Sequence, residues 1–180
     1  MVLHEKTLNS KKIYDGKIFR VRRDRVLLPD GSEGYREIVE HGGAVAIVPL
    51  VDEQVYFVRQ YRKPVEKVLL EIPAGRLEPG ESPAACARRE LTEEIGFWPR
   101  RLQQLAFFYS SPGFTNEIIH LYLAQELKVK QAVKDEGEFL DVVKMPLAEA
   151  LKKVACGEIT DGKTMTGLLL VAGHLAAISQ

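Results

Sequence analysis

Glu90, Glu93 and Glu94 stand within five positions of one another near the end of GRLEPGESPAACARRELTEEIGF, residues 75–97. On a helix, residues three and four apart are neighbours, so this spacing gathers three carboxylates on one patch. Each like-charged pair there costs roughly 0.2–0.5 kcal/mol, and carboxylates in a last helical turn also meet the negative end of the helix dipole. Arg88 and Arg89 lie on the N-terminal side, although cations favour the C-terminal end. Two readings account for this inversion. One is a solvated charged face with an Arg89–Glu93 pair four residues apart. The other is a seat for a hard divalent cation such as Mg2+, which takes carboxylate oxygens, keeps several waters and shares its coordination with substrate phosphates.

The elements that must position these groups are legible around them. Ser82 is a favoured N-cap, Pro83 fits the first helical position, and Gly96 is a natural stop. Between them Ala84, Ala87, Leu91 and Ile95 recur at spacings of three and four, which predicts one buried stripe with Glu90 beside it. Upstream, KVLLEIPAG predicts a strand ending at Pro73, followed by a Gly/Pro loop that leads straight into the helix. Such a loop can bring backbone carbonyls and Glu81 close to the glutamates.

Gly75, five residues, Glu81, seven residues and then Arg89-Glu90-Leu91-Thr92-Glu93-Glu94-Ile95-Gly96-Phe97 resembles the Nudix box at every defined position. The resemblance implies a hydrolase that splits a nucleoside diphosphate linked to another group, using water and usually Mg2+. It implies Glu90 and Glu94 as principal metal ligands, with Glu93 a further ligand or the holder of an activated water. The Ala74 carbonyl resembles the backbone ligand. Arg89 would orient the glutamates, Glu81 would brace loop and helix, and Gly75 and Gly96 would serve the box structurally. Mn2+ is a possible substitute for Mg2+.

The box sets the reaction type and leaves the substrate open. Pro112, in SSPGFTNE, stands fifteen residues after Phe97, a distance similar to that in the ADP-ribose pyrophosphatase branch. LLEIPAG, RQYR, DEGEF and the segment Asp161 to Thr164 also resemble that branch. By that resemblance Arg62 and Arg36 would grip phosphate or frame the adenine site. Glu71 would bond a ribose hydroxyl, Phe114 would pack on a ribose or base, and Glu117 would hold a water or hydroxyl near the terminal ribose. Glu138, with Glu136 second, would be the general base or orient the water. The expected substrate is ADP-ribose or a related ADP-sugar, hydrolysed to AMP and ribose 5-phosphate. The rivals are a nucleoside triphosphate or RNA-end pyrophosphohydrolase, and a non-catalytic nucleotide-sensing Nudix domain.

The rest of the chain sets the frame. The first 40 residues read as strands joined by turns at Asp15-Gly16 and Pro29-Asp30-Gly31. AVAIVPLV and QVYFVRQYR pair across Asp52-Glu53, and two further strands surround a loop at 110–115. EFLDVVKMP predicts a last strand, and two helices close the chain. This order predicts an α+β, mixed α/β/α sandwich, by resemblance the Nudix fold with an N-terminal antiparallel strand arm. Gly42-Gly43 marks the seam between a 1–42 arm and a 43–180 catalytic domain. In the ADP-ribose branch the arm commonly exchanges between subunits, so a homodimer is expected. Zero net charge argues against a chain built to grip nucleic acid. The N-terminus lacks a signal-peptide apolar core, and LLLVAGHLAAI falls short of the ~20 residues that span a bilayer, so a cytoplasmic protein without membrane contact is expected. Cys86 and Cys156 lack metal-ligand spacing and are expected to be buried or half-buried thiols; the four histidines form no zinc motif.

Overall fold

A computed structural model describes residues 3–130 and 139–178. Glu136 and Glu138 therefore lie outside the described residues. The chain falls into two compact units, one of Met1–Gly43 with Phe108–Ile118, the other of Ala44–Phe107 with Ile119–Gln180.

In the first unit β1 (Lys6–Asp15), β2 (Phe19–Leu27) and β3 (Glu33–His41) form an antiparallel meander in that order. The second turn closes with Leu28 N–H donating to the Ser32 carbonyl at 2.8 Å, and Gly31 takes a φ of +85°, which favours glycine. Asp30 Oδ1 accepts from Ser32 N–H at 2.9 Å, the local bond that makes aspartate a turn residue. Of this small sheet only Asp24 and Val26 are buried. β3 also carries the 110–117 loop. Val39 N–H donates to the Phe114 carbonyl at 2.8 Å, Asn116 N–H returns to the Val39 carbonyl at 3.3 Å, and His41 N–H donates to Asn116 Oδ1 at 2.8 Å.

The second unit is a mixed sheet of β4 (Ala44–Val51), β5 (Gln54–Arg62), β6 (Lys67–Glu71), β7 (Ala74–Arg76), β8 (Phe97–Tyr109), β9 (Ile118–Val129) and β10 (Leu140–Pro146). Its spatial order is β10-β5-β4-β9-β8, with β6 on β5 and β7 on β4. β4 and β9 run parallel. Asp52 and Glu53 both have positive φ, 48° and 61°, which suits the tight hairpin from β4 to β5.

KVLLEIPAG, expected to hold one strand ending at Pro73, holds a strand that stops at Glu71 and the start of a second at Ala74. β6 pairs with β5, the chain breaks at Ile72-Pro73, and β7 pairs with β4. Proline has no N–H for a ladder, but its carbonyl still accepts from Ile47 N–H at 2.8 Å. The break turns Ala74 and Gly75 toward the helix that follows.

That helix, α1 (Pro83–Ile95), covers one face of the sheet; α2 (Leu147–Ala155) and α3 (Gly162–Ile178) cover the other. Val45 and Ile47 pack with Ala87, Leu91 and Ile95 of α1. A Cβ added to Gly167 of α3 would lie 2.9 Å from both Val48 Cγ2 and Ile72 Cδ1, so α3 sits close only because that position is glycine. Burial on both faces explains why β4 reads as an unbroken apolar run. Two expectations are corrected. Ala84 is exposed; the buried stripe of α1 instead opens with Cys86 and Ala87. Cys156 is exposed, at the end of α2. Among the described residues no helix is long and apolar enough to cross a membrane.

Candidate active site

The phase of α1 is set at both ends. Ser82 Oγ accepts from Ala85 N–H at 3.3 Å, Pro83 begins the helix, and Gly96 in the left-handed conformation returns its N–H to the Thr92 carbonyl at 3.0 Å. With that phase Leu91 and Ile95 enter the core and carry Glu94 inward with them, to 5% exposure. Glu90 and Glu93 stay half-buried beside it. The carboxylate patch is therefore no solvated face.

Arg89 organises it. Its Nε and Nη2 form a two-pronged bond to the Glu81 carboxylate, each at 3.0 Å, while Nη1 donates to Glu90 Oε1 at 2.8 Å and Glu93 Oε2 at 3.0 Å. Nη2 also donates to the Arg76 carbonyl at 3.2 Å. One guanidinium is thus shared by three carboxylates, in the fixed planar fork that lysine lacks. The Arg89 bond holds the Glu81 carboxyl far down, at about 2, despite the opposing effect of burial. Glu78 N–H adds a second donor to Glu81 at 3.1 Å. Burial first, and then the Glu81 and Glu90 charges, push the neighbouring Cys86 thiol up to about 12, so it is an inert neutral thiol.

The turn after Pro73 closes onto the same face. Ala74 N–H donates to Glu94 Oε2 at 3.1 Å. A Cβ built on Gly75 would fall inside the Glu90 carboxylate, so any side chain there would displace that group.

Does this donor set suit a divalent cation? Glu90, Glu93 and Glu94 are hard oxygen donors within two helical turns, and the Gly75 cradle keeps one of them against the loop. Among the described residues no three ligand-type side chains already converge as a metal-holding group. Arg89 donates to one oxygen each of Glu90 and Glu93, and Ala74 N–H to one of Glu94. The chemistry fits a divalent cation that would compete with Arg89 for Glu90 and Glu93.

Comparison with known proteins agrees with this geometry. The NUDIX domain family matches residues 40–165. The chain belongs to the Nudix family. A second family, described as the nucleoside diphosphate sugar hydrolase N-terminal domain, matches residues 5–39. An ADP-ribose pyrophosphatase of Bacillus subtilis (strain 168) is 45% identical over 165 residues, covering 90% of this chain and 89% of that protein. A methanol dehydrogenase activator of Bacillus methanolicus is 44% identical, covering 91% of this chain and 90% of its own length. A crystal structure of an ADP compounds hydrolase matches with a TM-score of 0.88 at 27% identity, covering 98% of this chain and 97% of that one. The architecture is accordingly the Nudix fold with an N-terminal antiparallel sheet, and the protein is a Nudix hydrolase.

The other expected site residues of this Nudix hydrolase divide between the two units. In the unit that holds α1, Glu71 is 1% exposed and both its oxygens are taken, by Arg62 Nε and Nη2 at 2.7 Å each and by the Lys163 ammonium. Burial would raise the Glu71 carboxyl, but those two cations outweigh it and hold it below the usual range. No Glu71 oxygen is exposed to meet a ribose. Arg62 itself keeps 40% of its side chain exposed. In the other unit, Arg36 of β3 pairs with Glu5 of the N-terminal segment. Glu117 lies 3.4 Å from His41 Nδ1, Pro112 stands in the loop turn, and Phe114 is 56% exposed.

Sequence reasoning missed two features. The resemblance of the segment Asp161 to Thr164 to the ADP-ribose branch assigns no role to Asp161 or Lys163, although Asp161 three residues before Thr164 is a legible helix cap. The second is a groove of about 470 Å³ along α1, lined by Arg88, Arg89, Thr92, Glu93, Trp98 and Lys130 among others. Lys130 Nζ stands 4.0 Å from the Trp98 ring centre. No spacing rule connects Trp98 and Lys130 to each other or to α1.

Proposed function

We propose that this Nudix hydrolase cleaves the diphosphate of ADP-ribose, and of related ADP-sugars, adding water to give AMP and ribose 5-phosphate. Mg2+ is the working metal of this reading and Mn2+ its substitute. The observation that carries it is the full carboxylate set of α1, gathered by Arg89 against the Ala74-Gly75 turn. The substrate is supported by relatives whose names specify ADP-ribose and ADP compounds.

Glu90, Glu94 and the Ala74 carbonyl would hold the metal, with Glu93 as a further ligand or as the holder of the attacking water. When bound, the metal neutralises charge on the diphosphate and lowers the pKa of water. Arg89 keeps Glu90 and Glu93 at fixed positions, and Glu81 fixes Arg89. Arg62 offers its guanidinium to a phosphate. Arg36, Pro112, Phe114 and Glu117 are assigned to the adenosine and the terminal ribose. Glu138, with Glu136 second, takes the proton from water.

A panel of ADP-ribose, other ADP-sugars, deoxynucleoside triphosphates and 5′-triphosphorylated RNA, each with Mg2+ and with EDTA, tests the reading. AMP from ADP-ribose at the highest kcat/KM, abolished by EDTA, is expected. Preference for a triphosphate or RNA would overturn the substrate. Tight ADP-ribose binding without AMP release would make the protein a sensor instead.

A homodimer is part of the same proposal. β1, β2 and the turn between them expose Ile13, Tyr14, Ile18 and Phe19, apolar side chains of the kind a partner covers. Light scattering should give twice the 20.2 kDa chain mass; a monomer at micromolar concentration would refute it.

A further inference from the structure

Lys163 stands at the start of α3, ninety-two residues from Glu71, yet its ammonium bonds the Glu71 carboxylate. It also donates to Asp161 Oδ1 at 2.9 Å. Asp161 Oδ2 in turn caps the helix, accepting from Thr164 N–H at 3.0 Å and from Thr164 Oγ1 at 2.5 Å. Thr164 Oγ1 accepts from Ile72 N–H at 2.9 Å. The first turn of α3 thus grips two consecutive residues of the 71–76 segment: Glu71 by its side chain and Ile72 by its backbone. Two residues on is Ala74, whose N–H bonds Glu94.

We infer that Lys163 is a positioning residue of the diphosphate site, holding Glu71 so that Glu71 in turn fixes the Arg62 guanidinium and the Ala74-Gly75 backbone. The inference rests on the diphosphatase reading above and extends it to α3, which carries none of the box.

Three observations support it. First, the four charges of Arg62, Lys163, Glu71 and Asp161 balance in a site where Glu71 is 1% exposed. A buried ion cluster is seldom more stable than an apolar filling of the same volume, so its use is better explained by orientation than by stability. Second, Arg62 spends Nε and Nη2 on Glu71 and leaves Nη1 out of that bond, while 40% of the side chain stays exposed. A two-pronged bond fixes the plane of the guanidinium, and with it the direction of Nη1. Third, the segment that α3 grips runs directly into Ala74, whose N–H meets Glu94 Oε2 at 3.1 Å, so a shift at Glu71 and Ile72 reaches the carboxylate face. Without Lys163, Glu71 Oε2 would depend on Arg62 alone, and the fork would shift to cover a buried charge that has lost a partner.

The test compares Lys163→Met, which keeps length and removes charge, with Lys163→Arg and with Leu168→Ala. Leu168 is a fully buried residue of α3 outside the ion cluster, so it serves as a control for damage to the helix alone. Three quantities are measured well below the lowest Tm. These are KM and kcat for ADP-ribose, the Kd of ADP in EDTA, and amide exchange at Ala74 in the ligand-free protein. Lys163→Met should raise KM and the metal-free Kd roughly tenfold, in the range that outer partners of a site command, and should speed Ala74 exchange. Lys163→Arg should keep all three within about threefold of wild type. Combined with Arg62→Met, the Lys163 change should add less than about twofold, because both act through one guanidinium. Should Lys163→Met fail to fold, Asp161→Asn, with a smaller rise in the same direction, carries the test. Unchanged Kd and exchange in Lys163→Met, effects matched by Leu168→Ala, or full additivity with Arg62→Met would overturn the inference. Wild-type protein that turns over no ADP-ribose would instead overturn the function proposed above, while ADP binding and Ala74 exchange still decide the role of Lys163.

Discussion

The glutamate face of α1 and the 110–117 loop are held by opposite means. On α1 the side chains themselves are pinned. Glu81, Glu90 and Glu93 share Arg89, Glu94 meets the Ala74 N–H, and Glu90 lies where a Cβ on Gly75 would stand. In the loop the backbone is pinned to Val39 of β3 and the Asn116 side chain to His41 N–H, while Phe114 remains 56% exposed. The difference follows the chemistry each could serve. Charge neutralisation at a diphosphate tolerates misplacements well under an ångström. Recognition of a nucleoside by apolar contact tolerates more, since one such contact discriminates by only about 1–3 kcal/mol.

Substitutions can break or sharpen this contrast. The largest effect belongs to Glu94→Gln, which keeps an acceptor for the Ala74 N–H and removes the charge. Turnover should fall on the order of a thousandfold with melting nearly unchanged. A near-normal rate at saturating Mg2+ would show that the pinned face is architecture only. Gly75→Ala comes next. Its new methyl must push the Glu90 carboxylate aside, so kcat/KM should fall by about a hundredfold, with about 1–3 kcal/mol of stability lost in urea. If the variant were fully active, Glu90 would need no fixed position.

A smaller effect appears in stability against pH. Arg89 holds the Glu81 carboxyl at about 2 in the folded protein, below its ordinary 4.5. A depressed folded pKa gives stability that is fully present above the unfolded value and lost as pH falls through the folded one. Wild type should therefore exceed Glu81→Gln in urea midpoint at pH 6, and the gap should close as pH falls from about 4.5 toward 2. A gap that persists at pH 2 would assign Glu81 a role in packing, not charge. The smallest effect is expected in the loop. Phe114→Ala should raise KM for ADP-ribose about threefold to tenfold, leaving kcat and Tm unchanged. If kcat fell as far as with Gly75→Ala, the loop would have to be as rigidly specified as α1.

The sequence by itself determined α1: its cap at Ser82, its stop at Gly96, and the three glutamates on one face all follow from spacings of three and four residues along one helix. It determined the order of strands and helices, because alternation and turn chemistry are also local. It did not determine that KVLLEIPAG splits at Pro73, that Glu94 is buried, or that Glu71 turns inward to a lysine ninety-two positions later. Nor did it determine that the 110–117 loop is tied to Val39 and His41, the latter seventy-five positions away from its partner Asn116. Those facts depend on which segments the folded sheet brings together. Pairing across such distances follows from the burial of whole faces, and no single spacing in the chain records it.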